Sequence, residues 1–309
     1  MNSLFDIPQH RLVTHAVHKH GSKILMQILH AGRYGYQPFV VSSTAIKSPI
    51  SPFKPRQLSE KNILSTIEDY AQCADIAKKA GYDGVEIMGS EGYLINQFLS
   101  RHVNQRTDRW GGEIENRMRF LMQIYQAVRA ATSDNFIVSV KLNSADFQRG
   151  GITEEEVISV FKAMDEAGID MIEISGGTYE APAMAGSKAD KRKPSTIARE
   201  AYFLSFAELI RSQVKCHLMV TGGFRTVVAM NAALDSGACD FIGIARPFAV
   251  ETDLANRLLA GQDVRYGVDK IKTGIPMIDK MAIMEIIWYA AQFKAIGQGK
   301  KPNPKLSPL

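Results

Sequence analysis

A short pattern occurs three times in the chain and limits its fold more than any other feature. The segments read AGYDGVEI at 80–87, AGIDMIEI at 167–174 and SGACDFIGI at 236–244. Each contains a glycine, then an aspartate, then a short apolar run. The glycine suits the position after a helix, where the backbone turns left-handed, and the apolar run predicts a buried strand. Repeats of helix, glycine and strand are typical of parallel strands joined by crossovers.

Amphipathic helices are predicted before these strands. Ser59 is a candidate N-cap, and the apolar residues after it are spaced by three and four. They are Ile63, Ile67, Tyr70, Ala74 and Ala77. Thr153 and Glu156 have the spacing of a capping box at the start of a second helix. Further helices are predicted over about 8–20 and from about Thr226.

The sequence predicts six strands. Their ranges are 23–29, 84–89, 137–143, 171–176, 217–221 and 241–246. This α/β pattern fits either a (β/α)₈ barrel of the TIM-barrel type or a doubly wound open sheet. The barrel is favoured because no GxGxxG fingerprint follows an early strand. Polar and glycine-rich segments also follow nearly every strand at its C-terminal end, where barrel enzymes carry their chemistry.

The composition excludes several classes of protein. Hydrophobic residues make up 45% and charged residues 22%, as in globular proteins. No apolar run approaches the roughly 18 residues of a membrane span, and residues 1–15 lack the basic and apolar blocks expected of a signal peptide. Three distant cysteines, Cys73, Cys216 and Cys239, predict a cytoplasmic protein with no disulfide framework, metal site or iron–sulfur cluster. The net charge of +5 gives little support to a nucleic-acid partner.

Two segments near the end of the predicted barrel suggest a phosphate site. Gly222 and Gly223 follow the fifth strand, where a glycine backbone can approach a ligand closely. Ala245 and Arg246 end the sixth predicted strand. In barrels, the loops after the last two strands usually bind phosphate. The alternative is a structural tight turn.

Five other residues at strand ends are candidates for chemistry. A buried amide at Gln27 needs partners, which a ligand or the neighbouring backbone could supply. A buried ammonium at Lys141 is costly unless it faces an anion or a polar ligand. The phenols of Tyr93 and Tyr179 could donate a proton at a pocket rim, or pack as ordinary aromatic side chains. Glu91 is either a base or a carboxylate that stabilises its loop.

A polar cluster between two helices is interpreted as structural. It comprises Asn104, Arg106, Asp108, Asn116 and Arg117 within NQRTDRWGGEIENR. We interpret this cluster as a hydrogen-bonded loop that braces the start of a helix.

Several motifs together resemble the old yellow enzyme family of FMN-dependent NAD(P)H oxidoreductases. They are HAGR at 30–33, GYDGVEI at 81–87, GYLINQFLS at 92–100, NQRTDRWGG at 104–112, ENR at 115–117, VTGGFR at 220–225 and IARPF at 244–248. The early part, including EIMGSEGYLINQFL at 86–99, is most similar to the barrel domain of bacterial 2,4-dienoyl-CoA reductase. The later part, including KLNSADFQRGG at 141–151, is more similar to shorter single-domain members.

This resemblance implies a single FMN-binding domain over 1–309 that reduces an activated, α,β-unsaturated C=C bond of a small molecule. It implies that FMN takes a hydride from NADH or NADPH and that Tyr93 donates the proton. Gln27 would hydrogen-bond the flavin ring, and Lys141 stands where the family usually has an arginine at the N1/O2 edge. Four residues would hold the FMN phosphate: Gly222, Gly223, Ala245 and Arg246.

The chain departs from the family pattern at three substrate positions. Many members grip the substrate carbonyl with a histidine pair, or with histidine and asparagine, where this chain has Met88 and Glu91. The 2,4-dienoyl-CoA reductases share methionine and glutamate there but have a histidine in place of Tyr179. They also carry a cysteine cluster and a second domain that the sequence does not show. We therefore expect NAD(P)H to reduce the FMN directly, with no iron–sulfur cluster.

Family members also have additional residues before the point where this chain begins, which hold the first two barrel strands. The resemblance therefore predicts an N-terminally incomplete barrel of about six strands. Three alternatives stay open: a fragment from an internal start, a barrel completed by another chain, or an arc covered by the N-terminal helix. A homo-oligomer is a possible assembly. The rival function is a flavin-free barrel remnant that acts as an interaction module or is inactive. Another phosphate-binding barrel is a third alternative.

Overall fold

The computed structural model describes residues 7–180, 201–262, 271 and 283–307. These residues form two compact units. The first contains residues 7–180 and 209–218, and the second contains the remaining described residues.

The helices and strands alternate along the chain as the repeated pattern predicts. The strands are β1 Leu25–Ile28, β2 Val41–Ser42, β3 Arg56–Gln57, β4 Gly84–Gly89, β5 Ile137–Asn143, β6 Met171–Ser175, β7 His217–Thr221 and β8 Phe241–Gly243. The α-helices are α1 Ile7–His18, α2 Glu60–Lys79, α3 Leu94–Leu99, α4 Ile114–Arg117, α5 Arg119–Ala131, α6 Glu154–Glu166, α7 Leu204–Arg211, α8 Val227–Asp235, α9 Leu254–Leu259 and α10 Ile283–Gly297. Short 3₁₀ helices span Gly32–Tyr34 and Arg246–Ala249.

The strand pairings within the described residues are parallel. In the first unit, β4 pairs with β1 on one side and with β5 on the other, and β5 pairs with β6. In the second unit, β7 pairs with β8. These six strands confirm the α/β prediction of six parallel strands. The pair formed by β2 and β3 was not predicted, since two residues are too short to show periodicity.

The predicted helix boundaries are confirmed where a cap was identified. The Ser59 side chain accepts a hydrogen bond from the backbone N–H of Asn62 and begins α2. Thr153 and Glu156 form both bonds of the capping box at α6. Thr226 caps α8. The five predicted apolar residues of α2 are buried.

The first-unit sheet has two chemically different faces. On one face the side chains are almost fully buried and apolar: Val85, Ile87, Val138, Val140, Leu142, Ile172 and Ile174. The other face carries Glu86, Ser139, Lys141, Asn143, Glu173 and Ser175 at the alternating positions. Helices α2 and α5 pack against each other, and they also contact β4 and β5, respectively. The side chains of the polar face therefore occupy alternate positions along strands whose sequences are mainly apolar.

In two of the three repeated segments, the aspartate holds the start of the neighbouring strand in the sheet. Asp83 accepts a hydrogen bond from the backbone N–H of Ile24 at 2.9 Å. Asp170 does the same for Val138 at 2.7 Å. Since each aspartate precedes its own strand, it joins the beginnings of two neighbouring strands. This accounts for the aspartate in two of the three repeated segments.

Replacing Asp83 with asparagine is expected to lower the free energy of unfolding by about 1.5–3 kcal/mol, the usual cost of losing charged hydrogen bonds. The Asp83 carboxylate accepts hydrogen bonds from His18 at 2.7 Å and Lys23 at 2.8 Å as well as from Ile24. Burial opposes its ionisation, but these bonds outweigh burial and lower the pKa of Asp83 to about 2.

Because the folded-state pKa is depressed, this stabilisation is present above the ordinary carboxyl pKa and is lost as the pH falls towards 2. Urea unfolding at pH 7 and at several acidic pH values measures the difference. Exposed Asp134→Asn is the matched control. A difference between wild type and Asp83→Asn that does not shrink in acid would contradict the assignment.

Among the helices described, none is long and apolar enough to cross a membrane.

Candidate active site

The segments that follow β4 and β6 come together at the C-terminal edge of the first-unit sheet. Glu91 and Thr178 form an isolated parallel bridge beyond the ends of these strands. This bridge places Tyr93 beside Tyr179, and their hydroxyl oxygens lie 2.9 Å apart. Both tyrosines are partly exposed. The structure thus brings the three candidate catalytic residues together.

A third tyrosine, Tyr34, packs against this pair. Its ring meets those of Tyr93 and Tyr179 edge to face, with centroids 6.3 and 5.8 Å away. Tyr34 is buried, and Gly92 lies so close to it that an added Cβ would be 2.3 Å from its hydroxyl. Gly92 also has a φ of 86°, so no other residue fits easily here.

The hydroxyls of the tyrosine pair are held in their protonated form. Burial raises the pKa of Tyr93, and the contacts with Tyr179 and with the charge of Glu91 raise it further. Burial also raises the pKa of Tyr179. Both phenols therefore carry a proton at neutral pH, which a proton donor requires.

Gln97 joins three segments around the tyrosines, a role that was not predicted from the sequence. Its Oε1 accepts hydrogen bonds from Arg33 N at 3.1 Å and Ser42 Oγ at 2.9 Å. Its Nε2 donates to Ala31 O at 3.2 Å and Gly92 O at 2.7 Å. The only sequence signal was a glutamine within an otherwise largely apolar helix.

An ion pair also braces the tyrosine cluster. Arg33, next to Tyr34, contacts Glu180 at 2.7 Å, and their side chains are only 2% and 8% exposed. Ser48 Oγ donates a further hydrogen bond to Glu180 at 2.8 Å. The pair thus links the HAGR segment to the residue after Tyr179.

Lys141 faces carboxylates. This agrees with the expectation that an ammonium buried within a strand needs an anion or a polar ligand nearby. Its Nζ lies 3.1 Å from Glu173 and 3.6 Å from Glu91, and the side chain is 12% exposed. Burial disfavours the ammonium, but Glu173, Glu91 and Glu86 outweigh burial and raise the pKa of Lys141. Lys141 is therefore a cation at neutral pH.

Gln27 differs from its prediction. Its place in the first strand predicts a buried amide, whereas in the structure the residue is exposed. Its Nε2 donates to Glu86 Oε1 at 2.6 Å rather than to the neighbouring backbone. The burial prediction was wrong. Strand β1 pairs with β4, but Ile28 is the only buried residue of β1.

Glu91 has a backbone conformation unusual for a residue other than glycine. Its φ is 61°, and its backbone N–H donates to Asn143 Oδ1 at 3.3 Å. Non-glycine residues with positive φ are uncommon and often found at functional sites. Its carboxylate contacts Lys141. This contact does not decide between the two interpretations from the sequence, a base or a carboxylate that stabilises its loop.

The second unit brings the predicted phosphate-binding segments to one sheet edge. Thr221 of β7 pairs with Gly243 of β8, so the residues that follow them leave the same edge. Gly222 and Gly223 have φ values of 111° and 95°, which only glycine adopts readily. The buried Oγ1 of Thr221 has no hydrogen-bond partner within the described part of the chain.

Arg246 follows β8 but is not part of it. The predicted strand ends at 246, whereas β8 ends at Gly243 and Arg246 begins a 3₁₀ helix. Pro247 at the second position of that helix favours the change. The Nη1 of Arg246 lies 3.3 Å from Glu285 Oε1.

The residues that the structure describes include no group of three or more histidine, cysteine, aspartate or glutamate side chains able to hold a metal ion.

Sequence comparison places these features in a family. The sequence profile of the NADH:flavin oxidoreductase / NADH oxidase family matches residues 1–264. The chain belongs to this family. It is 36% identical over 258 residues to an NADH-dependent flavin oxidoreductase of Aspergillus parasiticus, covering 80% of this chain and 56% of that protein. It is 30% identical to an NADPH dehydrogenase of Geobacillus over 261 residues, covering 81% of this chain and 72% of that protein.

Two solved structures show the same fold. The old yellow enzyme homologue from Zymomonas mobilis has a TM-score of 0.71 at 26% identity, covering 89% of this chain and 77% of that one. Morphinone reductase has a TM-score of 0.68 at 27% identity, covering 83% and 70%. These comparisons confirm the resemblance to old yellow enzymes and the TIM-barrel-type α/β fold. The chain spans only 56% of the Aspergillus relative.

Proposed function

We propose that this chain is an FMN-dependent NAD(P)H oxidoreductase that reduces an activated, α,β-unsaturated C=C bond of a small molecule. The observation that carries the proposal is the hydroxyl pair of Tyr93 and Tyr179, 2.9 Å apart at the C-terminal edge of the sheet. Membership of a flavin oxidoreductase family supports it. Among similar structures, morphinone reductase is known in complex with tetrahydroNAD.

Each unit, taken by itself, carries residues with chemistry that suits a flavin ring or a phosphate. In the first unit, the Lys141 ammonium and the exposed Gln27 amide suit a polar ring that carries several acceptors. In the second unit, the two glycines with positive φ suit a phosphate, as does the Thr221 hydroxyl, for which the described residues supply no hydrogen-bond partner. When bound, FMN supplies the hydride acceptor and donor that amino-acid side chains lack.

Tyr93 is assigned the proton donor. A hydride added to the β-carbon leaves negative charge that a proton on the α-carbon removes. The Tyr93 hydroxyl would give this proton, and the Tyr179 hydroxyl could then donate a hydrogen bond to the resulting phenolate oxygen. Tyr34 packs against both rings and limits their movement. Solvent would restore the proton through the partly exposed Tyr179.

Lys141 and Glu91 are assigned electrostatic roles. The ammonium of Lys141 would stabilise negative charge on an electron-rich ring. Glu91 contacts this ammonium at 3.6 Å and lies in the loop that positions Tyr93. Its carboxylate would therefore orient Lys141 rather than touch the reacting carbon.

Isotope labelling tests the proposed reaction. With NADH or NADPH deuterated at the transferred position, deuterium is expected at the β-carbon of an enone substrate. In heavy water, deuterium is expected at the α-carbon. Oxidation of the nicotinamide with oxygen as the only acceptor, across a panel of activated alkenes, would contradict alkene reduction.

Replacing Arg246 with alanine is expected to weaken FMN binding by roughly 10- to 100-fold. A hydrogen bond to a charged group contributes about 1.5–3 kcal/mol, and 1.4 kcal/mol corresponds to a tenfold change in affinity. Quenching of FMN fluorescence on titration gives the Kd. Arg257→Ala, which removes an arginine of the same unit paired with Glu251, is the control. Equal affinities for the two variants would remove Arg246 from the phosphate site.

A further inference from the structure

The polar face of the first-unit sheet carries a carboxyl pair that the proposed reaction does not use. In the strand register Gln27 lies opposite Glu86, and Lys141 lies opposite Glu173. Glu86 pairs with Ser139, two residues before Lys141, so these side chains share one face.

The contacts on this face form a continuous chain. Gln27 Nε2 donates to Glu86 Oε1 at 2.6 Å. Glu86 and Glu173 project from the same face of the sheet on either side of β5, and the contact with Glu173 raises the pKa of Glu86. Glu173 then contacts Lys141 Nζ at 3.1 Å, and Glu91 contacts the same Nζ at 3.6 Å.

The charges in this chain do not balance when every carboxyl group is ionised. Glu86, Glu91 and Glu173 surround one cation, Lys141. The Lys141 and Glu173 side chains are only 12% and 10% exposed, so water screens them poorly. Two carboxylates can form a hydrogen bond with each other only when one carries a proton. Like charges in contact at a poorly solvated place disfavour the second ionisation.

We propose that Glu86 and Glu173 share one proton at neutral pH and that this proton sets the charge around Lys141 and the orientation of Gln27. Burial, followed by the contact with Glu173, raises the pKa of Glu86 to about 8, against weaker opposing effects of Gln27 and Lys141. Loss of the proton adds one negative charge beside the Lys141 ammonium. Glu86 is thus a positioning residue.

The consequence for a flavin rests on the proposed function, in which Gln27 and Lys141 face the flavin ring. When this proton is bound, the group formed by Lys141, Glu86, Glu91 and Glu173 carries one negative charge less than when it is lost. The acceptor atoms at the N1/O2 edge of a flavin ring are then bound more tightly. The affinity for FMN should therefore fall as the pH rises through the titration of the pair.

The shared proton is tested first by infrared spectroscopy of the purified protein, which does not depend on FMN. A protonated-carboxyl C=O band that shifts in heavy water is expected at pH 7 and should disappear at high pH. Glu86→Gln should lose this band, and Glu115→Gln, an exposed glutamate, should keep it. If Glu86→Gln does not fold, Glu173→Gln should lose the same band. No band in wild type, or a band that survives both substitutions, would overturn the proposal.

The link to the flavin is tested by the Kd for FMN between pH 7 and pH 9.5. A shift of one unit in the pKa of the pair on binding corresponds to a tenfold change in affinity. We expect wild-type protein to bind FMN about tenfold more weakly at the upper pH, and Glu86→Gln to show little change. An equal pH dependence in both proteins would overturn the positioning role. Failure of both proteins to bind FMN would overturn the proposed function instead, and the infrared band would still decide the shared proton.

Discussion

Replacing Tyr93 with phenylalanine is expected to slow alkene reduction by about 10²- to 10⁴-fold, the usual contribution of a positioned proton donor. Phenylalanine keeps the ring that packs against Tyr34 and Tyr179. It removes only the hydroxyl that lies 2.9 Å from that of Tyr179. Reduction of the flavin by NADH or NADPH should be unchanged, because that step needs no proton from Tyr93. Stopped-flow absorbance measures the two half-reactions separately.

Tyr179→Phe is the matched control for this prediction. It removes the neighbouring hydroxyl but leaves the Tyr93 hydroxyl in place, so alkene reduction should fall by less than in Tyr93→Phe. Equal losses in both half-reactions of Tyr93→Phe would contradict the proton-donor role, since they would indicate a general disturbance of the site. A larger loss in Tyr179→Phe, with Tyr93→Phe nearly unaffected, would assign the proton to Tyr179.

Replacing Glu156 with glutamine is expected to lower the free energy of unfolding by about 3–5 kcal/mol, the cost of leaving a buried charge without its partner. The Arg117 guanidinium contacts Glu156, and the Arg117 side chain is fully buried. Arg117 also donates to the carbonyl oxygens of Leu99 and Gly112. Burial lowers the pKa of Arg117, which shows how poorly its charge is solvated.

The substitution isolates the charge because glutamine still serves as the third residue of a capping box. The control is Glu155→Gln at the exposed neighbouring position of the same helix. Chemical unfolding should show a large shift in midpoint for Glu156→Gln and almost none for Glu155→Gln. Similar small shifts in both variants would mean that the ion pair of Arg117 is replaced by water or by other groups.

The features that the sequence predicted well are those that depend on neighbouring residues. Ser59, Thr153 and Thr226 begin helices because a side-chain oxygen accepts a bond from an N–H three residues on. The glycines of the repeated pattern, Gly81, Gly168 and Gly237, all have positive φ. Short-range chemistry decides these positions, so one sequence suffices.

The polar cluster between α3 and α5 was also interpreted correctly as structural. Asn104 Nδ2 donates to Phe98 O at 2.7 Å and Trp110 O at 2.8 Å. Arg106 Nη1 donates to Ser43 O at 3.0 Å and Leu58 O at 2.7 Å. These bonds satisfy backbone carbonyls in irregular segments, which is why so many polar side chains occur together there.

The features that the sequence did not predict depend on residues far apart in the chain. The Glu86 carboxyl meets Glu173 and Gln27 only because parallel strands bring distant segments into register. Within each strand, a single glutamate among apolar residues gave no sign of its partner. Gln97 has the same character, since three of its partners, Arg33, Ser42 and Ala31, lie in an earlier segment.

The visible absorption spectrum of the purified protein, before and after anaerobic addition of NADH or NADPH, tests the central claim most directly. We predict a flavin band that bleaches with one or both nicotinamides and returns when an activated alkene is added. A protein that shows no flavin band, even after incubation with excess FMN, would contradict the account and favour the flavin-free interaction module.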